Sequence, residues 1–348
     1  MSLLHGVGDF FAIDIGTGAI RMVQLKGSAK SGWDLVKYAY VPVDPKILAD
    51  SSDIGKKKKA EAISAIVRQA GVQTKNVAIG IPSRQTFTSI IEVPNAPKAE
   101  LEKTIVYEVD QYIPMPIEEA KVDYIVLGVS PNDPAKAEVL ISSTAEATAE
   151  GTLEMIESTG LNVIAQEPEP IAMARALTPA GITDSRMIVD LGERATDLVV
   201  VYNGAPRLVR SIPGGIQLFA NTLAANLNIQ PDQARQFILK FGLAQDKLEG
   251  QVYTELESTL DTFAMELMKS VRFFQGKYAN VPLGGIILSG FAGMIPFIDA
   301  YIQMKTNIET VQGNPWQYVR VTPEQQQALI NVASEFAVVV GLAERSND

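Results

Sequence analysis

The apolar positions of the chain fall into short runs and helical spacings that alternate between sheet and helix. Residues 9–15 form a nearly continuous apolar run, the mark of a buried strand, and 20–25 resume that pattern after the Gly16-Thr17-Gly18 turn. The two predict a hairpin, with 33–43 as its third strand. Residues 57–71 place Ala60, Ile63, Ile66, Val67 and Ala70 at the spacing of one helix face, and Gly71 stands where a helix can end in a left-handed residue. A strand at 77–81 follows. From residue 86 the pattern changes: a strand at 88–93, a proline-bounded helix at 98–111 and strands at 121–129 and 137–143 predict a small inserted α+β unit. A helix at 145–159, a strand at 163–166 and a helix at 169–177 lead back to the first unit.

The opening pattern then recurs. Met187-Ile-Val-Asp190-Leu-Gly192 is followed by a strand at 196–202 and another at 207–212, so strand, glycine turn, strand, strand occurs twice. Two such units related by a pseudo-dyad set their glycine turns face to face across a cleft, where a ligand binds. Helices are expected at 218–228, 230–241 and 254–278, a fully apolar strand at 286–289, a helix from Gly290 onward and a closing helical segment at 324–342. The strand-strand-strand-helix-strand order is that of a ribonuclease-H-like lobe. The expected fold is therefore α/β and two-lobed, with a first lobe at 1–85 and 144–184, an insert at 86–143, and a second lobe at 185–348 that carries a helical insertion at about 216–280.

Composition agrees and excludes several chemistries. With 348 residues, 47% of them hydrophobic, the chain exceeds the roughly 250–300 residues at which single cores stop growing. The net charge of −10 argues against broad nucleic-acid binding, which needs a basic face. The absence of cysteine excludes disulfides, thiolate zinc sites and cysteine nucleophiles. The single histidine, His5, leaves no material for Ser-His-Asp catalysis or a histidine metal site and is expected to be an incidental surface residue. No stretch approaches the roughly 18–20 apolar residues of a membrane span, and residues 1–8 lack a basic region followed by an apolar run. The expectation is a cytoplasmic protein.

The candidate chemistry lies in the repeated turns. A strand ending in Asp-x-Gly turns backbone N–H groups toward phosphate while its carboxylate faces Mg²⁺. Asp14-Ile15-Gly16 and Asp190-Leu191-Gly192 both do this. Turn capping alone would account for the glycines but not for both acids ending buried strands. Thr17 and Thr196 are placed to donate to phosphate oxygens, or equally to stabilise the turns. Gly290-Phe291-Ala292-Gly293, after the apolar strand, forms a third glycine turn able to admit adenine and ribose.

The phosphate loops 14–21 and 190–198 together with Leu288-Ser289-Gly290-Phe291-Ala292-Gly293 resemble the actin, sugar-kinase and DnaK-chaperone superfamily, which binds ATP with Mg²⁺. Within it, the insert, through Glu108, Gln111, Tyr112, Ile113, Pro114 and Pro116, is similar to the PilM family of type IV pilus assembly proteins, and its placement matches the 1C subdomain of the cell-division protein FtsA. Ile212-Pro213-Gly214-Gly215 and the helix around Glu266 and Lys269 match as well, so the resemblance spans nearly the whole chain. It implies an actin-like fold with an FtsA-type 1C insert. It also implies ATP and Mg²⁺ as cofactors, held by Asp14, Gly16, Thr17, Gly18, Asp190, Gly192, Arg194, Thr196, Gly214, Gly215, Glu266, Lys269, Gly290, Phe291 and Ala292, with Asp14 and Asp190 toward the metal. Glu193-Arg194 and Phe291 depart from the family pattern, which argues for weak ATPase activity at most.

Glu169 resembles the residue that positions attacking water; it would equally suit a helix N-terminus as a charge. The basic run Lys56 to Lys59 reads as a solvated helix start or as an attraction to anionic lipid. The resemblance implies a scaffold on the inner face of the cytoplasmic membrane. It would dock the cytoplasmic tail of a PilN-type membrane protein between subdomains 1A and 1C, along a strand edge at Thr86, Thr88 and Ile90. Other pilus components and further copies of the chain are the remaining implied partners. Two alternatives use the same cleft: a small-molecule kinase of the acetate or sugar kinase type, and an FtsA-like membrane filament. The filament would call for an amphipathic C-terminal helix, whereas the sequence printed here ends Glu344-Arg345-Ser346-Asn347-Asp348.

Overall fold

A computed structural model describes residues 9–330 and 332–345, so His5 lies outside the described residues. The first lobe opens with β1 (Phe11–Ile15), β2 (Ala19–Ser28) and β3 (Gly32–Pro42). Helices α1 (Pro45–Ala49) and α2 (Asp53–Ala70) and strand β4 (Asn76–Ile81) follow. Ser52 caps α2 by accepting from the Gly55 N–H, which starts the helix four residues before its apolar stripe predicts, and Gly71 ends it at φ 66°. The insert comprises β5 (Thr86–Pro94), α3 (Lys98–Glu108), β6 (Ala120–Val129) and β7 (Lys136–Ala145), paired in the order β5-β7-β6. The chain returns through α4 (Glu146–Glu157), β8 (Asn162–Pro168) and α5 (Glu169–Leu177).

The second lobe repeats the plan with β9 (Ser185–Leu191), β10 (Ala195–Tyr202) and β11 (Ala205–Pro213). Helices α6 (Ile216–Leu227), α7 (Pro231–Phe241) and α8 (Gln251–Lys277) precede β12 (Leu283–Gly290), α9 (Ile298–Thr306) and β13 (Thr310–Gln312). The main strands run β3-β2-β1-β4-β8 in one sheet and β11-β10-β9-β12-β13 in the other. In both, the first three pair antiparallel and the last three parallel. The repeat suggested by the glycine turns is thus a repeat of topology. β1 and β9 sit in the middle of their sheets, which is why both read as continuous apolar runs rather than alternating ones.

The last thirty residues correct the expected boundary of the second lobe. Strand β14 (Val319–Arg320) pairs with β3, and α10 (Pro323–Leu329) and α11 (Ala337–Ala343) lie over the first sheet. Trp316, Val319, Leu329, Phe336 and Val339 bury themselves against Ala12, Val23, Trp33 and Leu35. That face of the first sheet is apolar and would otherwise be open to water, so the tail crosses back to cover it. The expected helix at 324–342 is consequently broken, by a 3₁₀ turn at Ala333–Phe336. α5 and α11 pass between the lobes, where Met173, Ala174, Leu177 and Ala337 meet Ile188, Val199 and Val201 of the second sheet. The insert also holds the second lobe. Glu138 of β7, 0% exposed, pairs with Arg207 of β11 and accepts from the Tyr278 hydroxyl at 2.6 Å. Among the described residues no single helix is long and apolar enough to cross a membrane.

Candidate functional site

The three glycine turns meet in one cleft between the lobes. Asp14, on β1, stands directly across the hairpin from Arg21, whose Nη1 donates to Asp14 Oδ2 at 3.1 Å. The other guanidinium nitrogen pairs with Glu335 in the turn before α11, and the group lies 5.5 Å from the Tyr40 ring. Gly16 makes room for this, since a Cβ there would come within 2.8 Å of Arg21 Nη1. Asp190 occupies the equivalent place on β9, but across from it on β10 stands another acid, Asp197. Burial, then the Asp197 charge, pushes the Asp190 carboxyl up to about 7. Burial also raises Asp197, and raises Asp14 against the pull of Arg21. Glu169, the first residue of α5, is driven well above the carboxylate range by burial and by Asp14, Asp197 and Asp190.

Four carboxyl groups forced upward together are stabilised by a cation. Among the described residues no three such side chains are grouped to hold a metal ion alone. Asp14 and Asp190 therefore suit Mg²⁺, which commonly takes one or two carboxylates and completes its octahedron with water and phosphate oxygens. The rest of the cleft fits a nucleotide. Ser83 Oγ, Asp197 Oδ1 and Arg21 Nε are buried without partners. Gly290, at φ 61°, lets the third loop pack directly on the second, since a Cβ there would stand 2.6 Å from the Leu191 carbonyl oxygen and 2.8 Å from Asp190 Oδ1. Thr17, Gly18, Gly192, Arg194 and Phe291 line the same space.

Several expected site residues serve elsewhere. Thr196 donates its hydroxyl to the Gly214 carbonyl at 2.7 Å. Gly215 packs beneath the second loop, where a Cβ would meet the Gly192 carbonyl oxygen at 2.4 Å, and the Ile216 and Gln217 N–H groups donate to Gly192 and Glu193 carbonyls. Thr196 and Gly215 thus brace the second loop from behind. Ala292 is fully buried behind Phe291. Glu266 and Lys269 lie on the outer side of α8, paired with each other and, for Glu266, with Arg210 at 3.5 Å. The helical cation that does reach the cleft is Arg235 of α7. It grips both oxygens of Glu193, at 2.6 and 2.8 Å, and lies 4.7 Å from the Phe291 ring centroid. Arg235, Glu335, Arg84 and Asp197 were not singled out by sequence pattern. For Asp197 a signal existed, because it follows Asp190 at the spacing by which Arg21 follows Asp14.

A second concavity, of about 500 Å³, lies between the insert and the first lobe. Val122, Tyr124 and Ile125 of β6 face Leu153 of α4 and Val163 to Ala165 of β8 across it, with Lys121, Glu150 and Arg345 among the charged residues. β6 and β8 are each the outermost strand of their sheets. Thr86 lines this groove, but Thr88 and Ile90 do not. The β5 edge is turned toward the second lobe, and the Ile90 carbonyl accepts from Lys277 Nζ at 3.2 Å. Of the strand edge expected at Thr86, Thr88 and Ile90, only Thr86 lies on this groove, whose flanking outer strands are β6 and β8.

Comparison with known proteins places this geometry. The family model described as type IV pilus assembly protein PilM matches residues 12–347. A solved structure titled PilM-PilN type IV pilus biogenesis complex superposes with a TM-score of 0.80 at 22% identity, covering 97% of this chain and 98% of that one. The ethanolamine utilization protein EutJ from Carboxydothermus hydrogenoformans gives 0.59 at 14% identity, covering 97% and 89%. MreB5 of Spiroplasma citri bound to ADP gives 0.55 at 13%, covering 96% and 95%. At these identities the structural likeness carries the fold, which is actin-like.

Proposed function

The chain belongs to the type IV pilus assembly protein PilM family, and we propose that it works there as a nucleotide-binding scaffold whose groove between first lobe and insert docks the cytoplasmic tail of a PilN-type inner-membrane protein. The observation that carries this reading is the pair of outer strands, β6 and β8, that flank one apolar groove. An outermost strand presents unpaired N–H and C=O groups, so an extended peptide can add to it and place alternate side chains in the groove. Ile125 and Leu153 offer apolar contact there, while Lys121, Glu150 and Arg345 offer ionic contacts at its margins. Such docking would hold the protein at the cytoplasmic face of the membrane through its partner. The same reading assigns the cleft to ATP with Mg²⁺.

The test is titration of a synthetic PilN-type tail peptide into the full chain, alongside Ile125→Glu. Ile125 is 52% exposed on an outer strand, so the substitution does not touch the core. Tail binding weakened at least about tenfold by this substitution, equivalent to about 1.4 kcal/mol, supports the groove. A tail that fails to bind at millimolar concentration, or binds Ile125→Glu as well as the parent, overturns it.

A further inference from the structure

Four arginines line the cleft, and two of them, Arg21 and Arg235, reach it from opposite lobes already neutralised by carboxylates from distant parts of the chain. Arg21, beneath the first phosphate loop, is held by Glu335, 314 residues away in sequence. Arg235 is held through two hydrogen bonds by Glu193. Glu193 is only 9% exposed, and its Oε2 would stand 3.6 Å from a Cβ on Gly18, so the side chain spans from the second glycine turn to the first. Glu335 has Arg21 and, at 3.5 Å, the Tyr40 hydroxyl as partners. Its turn is tied to the third loop as well, because the Ser334 hydroxyl donates to the Gly290 carbonyl at 2.9 Å. Both carboxylates thus stand where the three glycine turns converge.

We propose that Glu193 and Glu335 act as internal stand-ins for phosphate on Arg235 and Arg21, so that nucleotide binds by exchanging its phosphate oxygens for these carboxylates. The inference rests on the nucleotide reading given above. A guanidinium receives carboxylate and phosphate through the same planar fork, so the exchange replaces one anion by another on an unchanged donor. Left in place, two buried anions repel an incoming di- or triphosphate. Moved aside, they break the ties from Glu193 to Arg235 and from Glu335 to the first loop. Nucleotide affinity is then the difference between two ion-pair sets, and the clasp lowers it.

The test measures Mg²⁺-ADP and Mg²⁺-ATP affinity by calorimetry for the parent, Glu193→Gln, Glu335→Gln and the double variant, together with ligand-free melting temperatures. The expected result is at least threefold tighter binding in each single variant, a further gain in the double, and a lower ligand-free melting temperature in all three. Unchanged or weaker binding in the variants, with the parent binding, overturns the clasp alone. Failure of the parent and every variant to bind overturns the nucleotide reading and the clasp with it. Should a variant not fold, hydrogen exchange on the parent decides: saturating Mg²⁺-ADP is expected to lower protection of the amides at 333–336, and unchanged or increased protection there overturns the exchange.

Discussion

Gly341 of α11 and Ala172 of α5 meet backbone to backbone, so close that a Cβ on Gly341 would stand 1.8 Å from the Ala172 carbonyl oxygen. The obstructing atom is main chain of a packed helix and cannot swing aside. Gly341→Ala must therefore push apart the two helices that run between the lobes, an overpacking that costs about 1–3 kcal/mol. Urea unfolding monitored by circular dichroism is expected to show a lower midpoint with an unchanged slope.

The pair Glu138–Arg207 ties the insert to the second lobe from a fully buried position. Removing Arg207 leaves Glu138 buried with only the Tyr278 hydroxyl and Lys277, at 3.7 Å, as partners, at a cost of up to about 3–5 kcal/mol. Arg207→Met is expected to unfold at correspondingly lower urea, and Glu138→Gln added to it to recover part of the loss. A double variant no more stable than the single one would show that the stranded charge is not the cause.

Glu344, at the end of α11, is buried with Oε1 unpartnered, and burial raises its carboxyl to about 8 although Arg175 pulls the other way. An unfolded glutamate titrates near 4. Between those values the folded chain holds a proton that the unfolded chain has released, so stability falls as pH rises from about 4 to about 8. Glu344→Gln is expected to flatten that slope and to be the more stable protein above pH 8. Thermal melts at half-unit intervals of pH check it, and parallel slopes for the two proteins would contradict it.

Asp14→Ala and Asp190→Ala are each expected to abolish Mg²⁺-dependent ATP binding in calorimetry, because the metal loses a carboxylate that phosphate oxygens do not replace. Thr196→Val is expected to weaken binding only through the stability of the second loop, since its hydroxyl is committed to Gly214. Retained binding in both aspartate variants would remove ATP from the cleft.

The elements were largely legible. β1, β2, α2, β4 and β9 to β11 lie within a few residues of where period and glycine punctuation place them, because burial on both faces or on one stripe imprints itself on neighbouring positions. Glu266 and Lys269, expected at the site from the resemblance, pair with each other on α8 and are not among the residues that line the cleft. Arg235 does line it, because α7 carries it to Glu193 and Phe291. No period in the chain encodes that approach.

By itself the sequence determined the paired Asp-x-Gly turns, the inserted unit and the family, since a tight phosphate loop needs particular residues within a few positions of each other. Tertiary structure decided what faces those loops. It brought Glu335 to Arg21, laid the last helices over the first sheet and left β6 and β8 as the outer strands of one groove. Those relationships join residues far apart in the chain, and their energies depend on which apolar faces remain to be covered once each lobe has formed.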